Sequence, residues 1–165
     1  MARPPRPLIA GGVYHVYNRG VVKLPIFADT RDRNRFLRGL SEVVHRRSWT
    51  CLAYCLMWNH FHLVVGTPVA DLDRGMQRLQ GTYAQAFNRR HGRTGHLFHA
   101  RYGLCPHLGD WPWSSHRSTL GHVAQPPYLA AESLVRLFGG RTEYRDYVDP
   151  SVMRPPAPTW APGPA

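Results

Sequence analysis

Residues 54–65, Tyr-Cys-Leu-Met-Trp-Asn-His-Phe-His-Leu-Val-Val, constrain this chain more than any other stretch. In an extended strand, side chains two apart point the same way. His60 and His62 therefore project together, while Phe61 turns to the opposite face and into a core. Leu63, Val64 and Val65 continue with the composition of a buried strand. Two co-facial imidazoles suit a divalent metal. They equally suit two strand histidines that face solvent or satisfy polar neighbours, and a His-x-His spacing alone does not separate the two.

The elements around this strand follow from periodicity and punctuation. Residues 1–11 are a basic, Pro-rich arm, and residues 12–20 have strand composition ending in the turn residues Asn18 and Gly20. Residues 22–28 are apolar but interrupted by Pro25, so they read as a loop or short edge segment. Asp29-Thr30 offers a helix N-cap. Phe36, Leu37, Leu40, Val43 and Val44 then share one helical face, which predicts a helix ending near Ser48. Strands are expected at 50–57 and 60–66, joined at Trp58-Asn59. Leu72, Met76, Leu79, Tyr83 and Phe87 predict a second helix over 71–90, weakened at Gly75 and Gly81 by up to about 1 kcal/mol each. The latter half of 91–102 fits a last strand.

Residues 110–115 read as a compact aromatic turn, and residues 129–138 and 141–148 as short helices. The order β-α-β-β-α-β predicts an α+β fold of ferredoxin-like type, an antiparallel sheet with two helices on one face. The expected organisation is an arm at 1–11, a domain at 12–125, a helical appendage at 126–149 and a disordered Pro-rich tail at 150–165.

Charge points to a partner. The 165 residues hold 21 Lys+Arg against 10 Asp+Glu, a net +11. Lys23 is the only lysine, so the positive charge is almost wholly arginine, which suits bidentate phosphate contacts and stacking on bases. Nucleic acid is the commonest polyanion that meets such a surface. Three cysteines, Cys51, Cys55 and Cys105, form neither a zinc pattern nor a disulfide framework. No stretch has signal-peptide or transmembrane character, which leads to the expectation of a cytoplasmic protein, nucleoid-associated when bound to DNA.

Four blocks taken in order carry a family likeness: Tyr-His-Val-Tyr-Asn-Arg-Gly at 14–20, Cys-Leu-Met-Trp-Asn-His-Phe-His-Leu-Val-Val at 55–65, Tyr-Ala-Gln-Ala-Phe-Asn-Arg-Arg-His-Gly-Arg-Thr-Gly at 83–95, and Trp-Pro-Trp-Ser-Ser-His at 111–116. Together they resemble the IS200-like transposases, and more narrowly the REP-associated tyrosine transposases of bacteria. The resemblance implies an HUH motif at His60-Phe61-His62, holding Mg²⁺ or Mn²⁺ beside the scissile phosphate of single-stranded DNA. It implies a tyrosine on a later helix that attacks this phosphate, giving a 5′-phosphotyrosine and a free 3′-hydroxyl. Partners would be single-stranded or hairpin DNA with palindromic elements and, in some subgroups, a second copy of the chain.

The chain departs from that pattern at one place. In the family, a helix bearing the nucleophile and a polar metal ligand lies between the segment matching Ala100-Arg101-Tyr102 and the Trp-Pro-Trp block. Here only residues 103–110 separate Tyr102 from Trp111, and no Tyr-x-x-x-Asn or Tyr-x-x-x-Gln falls between 102 and 126. An internal deletion is the expectation, with the nucleophile lost. Tyr102 and Tyr83 are weak substitutes, and Tyr144 and Tyr147 match no nucleophile pattern. Two readings follow: a DNA-cleaving transposase, or a DNA-binding relative that does not cut. Candidate DNA contacts are Asn18, Arg19, Lys23, Arg89, Arg90, Arg93 and Arg101, with Arg3 and Arg6 on the arm. Phe98, Tyr102 and Trp111 are candidates for stacking on an unpaired base.

Overall fold

A computed structural model describes residues 8–99 and 113–148. Three strands, β1 (Gly12–Arg19), β2 (Thr50–Leu56) and β3 (His60–Thr67), form an antiparallel sheet in the order β1-β3-β2. Two helices, α1 (Thr30–Arg47) and α2 (Leu72–Arg90), pack on one face of it. Beyond β1, Phe98 forms an antiparallel bridge with Gly20. Val21 N–H donates to the Leu97 carbonyl at 3.0 Å, and His99 N–H to the Arg19 carbonyl at 2.9 Å. This segment occupies the fourth-strand position of a ferredoxin-like sheet. Among the described residues it amounts to a single bridge rather than a ladder.

The helices form where the apolar spacing requires them. Asp29 caps α1, its carboxylate accepting from Asp32 N–H at 3.0 Å, and Ser48 ends the helix in the left-handed conformation at φ 53°. Phe36, Leu40, Val43 and Val44 are buried beneath α1, and Leu72, Met76, Leu79, Tyr83 and Phe87 beneath α2. The two helices close over Phe61, Leu63 and Val65, the alternate residues of β3. Gly75 is a helix-weakening residue that the fold needs, because a Cβ there would meet the Trp49 ring at 2.2 Å.

β2 departs from simple alternation, since all of Cys51 to Leu56 are buried. The reason is residues 113–148, which carry short helices α3 (His116–Thr119), α4 (Ala131–Leu137) and α5 (Arg141–Val148). Leu134 and Tyr144 cover Leu52 and Ala53 on the sheet face away from α1 and α2. The free edge of β2 is covered as well. Leu56 N–H donates to the Trp113 carbonyl at 3.1 Å, Ser115 N–H to the Tyr54 carbonyl at 2.9 Å, and Ala130 N–H to the Cys51 carbonyl at 2.7 Å. An exposed strand edge is thereby removed from solvent. Among the described residues no helix is long and apolar enough to cross a membrane.

Candidate functional site

His60 and His62 stand together on β3, half-buried, on the face opposite α1 and α2. Their ring centroids are 5.2 Å apart and nearly perpendicular. The antiparallel register sets Arg19 across from His60, and both Tyr17 and Cys55 across from His62. Tyr17 stacks on the His62 ring at 5.9 Å between centroids. His15, one diagonal step along β1, brings Nε2 to 3.1 Å from His62 Nδ1. His15 and Tyr17 are members of the site that sequence reasoning did not single out. The two-residue period of β1 places them on one face, but only the register with β3 places that face beside the histidine pair.

The chain fixes the protonation of His60. Asn59 Nδ2 donates to the Lys23 carbonyl at 3.2 Å, which orients the amide so that Oδ1 faces His60 Nδ1 at 2.7 Å. An amide oxygen only accepts, so Nδ1 carries the proton and Nε2 keeps its lone pair. Metal-ligating histidines show this arrangement, with the other ring nitrogen held by an oxygen. Burial pushes the pKa values of His15, His60 and His62 down, His62 to about 4 with help from its two neighbours. Burial thus favours the neutral form of all three rings, the form that ligates metal.

The donor set fits a divalent ion in part. Two neutral imidazoles suit a transition-metal ion such as Mn²⁺ better than Mg²⁺, which prefers an oxygen shell. Among the described residues no third His, Cys, Asp or Glu completes a metal-holding group. Burial pushes the Cys55 thiol up to about 11, so in the metal-free chain it carries its proton at neutral pH. β1, β2 and β3 contain no Asp or Glu at all. The strands themselves thus add no carboxylate that would repel a phosphate beside the histidines.

The expected DNA contacts separate into groups. Arg19 and Lys23 are exposed at the end of the sheet where β3 begins. Asn18 is 3% exposed, and its Nδ2 donates to Gln80 Oε1 at 2.9 Å, so it joins β1 to α2 instead of facing solvent. Arg89 is exposed at the end of α2. Arg90 forks onto Asp29 and Asp32 and ties the C-terminus of α2 to the N-terminus of α1. Arg93 lies over the Phe87 ring at 5.7 Å and donates to the Pro25 carbonyl at 3.3 Å. Arg3, Arg6 and Arg101 lie outside the described residues.

Of the aromatic candidates, Phe98 packs edge-on against Phe61 at 6.0 Å within the core, and Tyr102 and Trp111 lie outside the described residues. Among the described residues Trp58, 50% exposed at the turn leading into His60, is the exposed large aromatic side chain, which composition did not distinguish. Tyr83 is 3% exposed, its hydroxyl bonded to the Ile26 carbonyl and its pKa raised by burial. It is a packing residue. Tyr144 is buried against His116.

Comparison with known proteins agrees with this architecture. A REP-associated tyrosine transposase bound to a REP hairpin shares the fold with a TM-score of 0.57 and 14% identity, over 79% of this chain and 92% of that one. No curated protein matches the sequence. The family model described as "Transposase IS200 like" matches residues 11–111, from the start of β1 through the histidine strand and α2. With the sheet, its helices and the co-facial histidine pair in place, the chain belongs to the IS200-like transposase family.

Proposed function

We propose that this chain binds single-stranded or hairpin DNA across the histidine-bearing face of its sheet. In this reading His60 and His62 hold a divalent ion, Mn²⁺ or Mg²⁺, against a backbone phosphate, and phosphate and water fill the positions the protein leaves open. When bound, the ion supplies charge neutralisation at the phosphate. The observation that carries the reading is the pair itself: neutral imidazoles, one with Nε2 fixed as a lone pair by Asn59, on strands without a carboxylate. Arg19 and Lys23 contact the phosphates on either side, with Arg89, Arg93 and Arg101 as further contacts. The hairpin carried by the solved transposase of the same fold supports a DNA partner. A second copy of the chain is an additional partner by family resemblance.

The family's cleavage step lacks its usual nucleophile in this reading, because the helix that bears it is deleted between Tyr102 and Trp111. One observation favours a second reading in which cutting survives. Of the tyrosines on the three strands, Tyr17 is the one that shares the face with His60 and His62, its ring stacked on His62. Attack by its oxygen on phosphorus would break the bond to the 3′-oxygen, which takes the phenolic proton, and leave the 5′-phosphate on the ring.

A labelled single-stranded hairpin with Mn²⁺ separates the two readings. Retardation in a gel that weakens with salt, without a denaturant-resistant adduct, is the expected result. An adduct abolished by Tyr17→Phe would establish the second reading. No retardation at low salt would refute both.

A further inference from the structure

We propose that His15 is the positioning residue of the histidine pair: its Nε2 accepts a hydrogen bond from Nδ1–H of His62 and so fixes the tautomer in which His62 Nε2 is a lone pair. The contact is 3.1 Å and joins adjacent strands across one diagonal of the register. Two polarities are compatible with that distance. If His15 donated, His62 would carry its proton on Nε2 and could not ligate. If His62 donates, both histidines of the pair expose Nε2, since Asn59 already fixes His60 in that form.

The surroundings of His62 leave His15 as the acceptor for an Nδ1 proton. Among the described residues the rings packed against His62 are Tyr17, His60 and His15, with Cys55 across from it on β2. The three strands hold no carboxylate that would serve as an alternative acceptor for Nδ1–H. A 3.1 Å approach of two ring nitrogens requires that one ring donate and the other accept. The pair then has a symmetrical design, with each ring gripped at Nδ1 by a neighbour of its own chain. Such partners orient a ligand ring and set its basicity. This inference rests on the reading that His60 and His62 ligate an ion, but the tautomer is measurable without the ion.

Long-range ¹H–¹⁵N correlation spectra of the metal-free, ¹⁵N-labelled full chain report which ring nitrogen of each histidine is protonated. The expected spectrum has His62 protonated on Nδ1. His15→Phe should move His62 toward the Nε2–H form and weaken Mn²⁺ binding by about 10–100-fold, the usual loss when such a partner is removed. His15→Gln, whose side-chain oxygen reaches roughly the place of Nε2, should restore both. A wild-type His62 protonated on Nε2 overturns the proposal whatever the metal does, and so does a His15→Phe spectrum identical to wild type. If His15→Phe does not fold, the wild-type and His15→Gln spectra still decide. Wild-type protein with Nδ1–H on His62 and no Mn²⁺ binding would refute the metal reading and leave the hydrogen-bond assignment standing.

Discussion

Tyr83 shows how a single side chain can be misjudged by type and placed correctly by its neighbours. A tyrosine on the second helix of this family could be taken for a nucleophile, yet its hydroxyl is used inside the core on the Ile26 carbonyl, among Phe27, Phe36 and Phe87. Tyr83→Phe should destabilise the chain by about 1 kcal/mol through the lost bond, read as a lower urea midpoint. DNA retardation at low salt should not change. The buried thiols make a second case. Burial pushes Cys51 up to about 12 and Cys55 to about 11. A thiol raised in the folded state gives stability that is complete below the unfolded pKa, about 8.5, and is lost as pH rises toward 11 and 12. A Cys105→Ser chain should therefore release no chromophore from Ellman's reagent near pH 8 until denaturant is added. Its melting temperature should fall through the alkaline range above about pH 9.

Two glycines of α2 look alike in sequence and carry opposite predictions. At Gly75 a Cβ would strike the Trp49 ring at 2.2 Å, whereas at Gly81 nothing lies within 4 Å. Gly81→Ala should stabilise by about 0.5–1 kcal/mol through helix propensity. Gly75→Ala should destabilise by about 1–3 kcal/mol, because overpacking against a buried indole outweighs that gain. Paired denaturation curves give the two signs directly. The same helix ends in Arg90, whose fork onto Asp29 and Asp32 holds the Asp29 carboxyl well below the usual carboxylate range, with the hydrogen bond from Arg90 as the largest cause. Helix periodicity was legible for α1 and α2, and both boundaries of α1 followed from Asp29 and Ser48. The helix clamp made by Arg90 was not legible, because its carboxylate partners lie some sixty positions earlier in the chain.

At the scale of the whole molecule, the +11 charge and the cover over β2 set the behaviour to be measured. DNA affinity should fall linearly on a log-log plot against salt, and Arg19→Ala or Lys23→Ala should each lower the slope by about 1. Ser115 joins the two parts of the described chain, its Oγ accepting from Tyr54 N–H at 3.0 Å in a buried setting. Ser115→Ala should cost about 1–3 kcal/mol, since it strips a buried donor of its partner. The sequence by itself determined the α+β class, the two helical faces and the projection of His60 and His62 to one side of a strand. Those features depend on local periods, 3.6 residues for a helix and two for a strand, and a single segment contains them. Tertiary structure alone decided that His15 and Tyr17 complete the histidine face, that Asn18 is buried and that residues 113–148 cover β2. Each of these depends on strand register or on packing between segments far apart in the chain, and no local period encodes either. The His-x-His pair could be read from one strand, whereas the tautomers that would make it a metal site are set by residues on its neighbours.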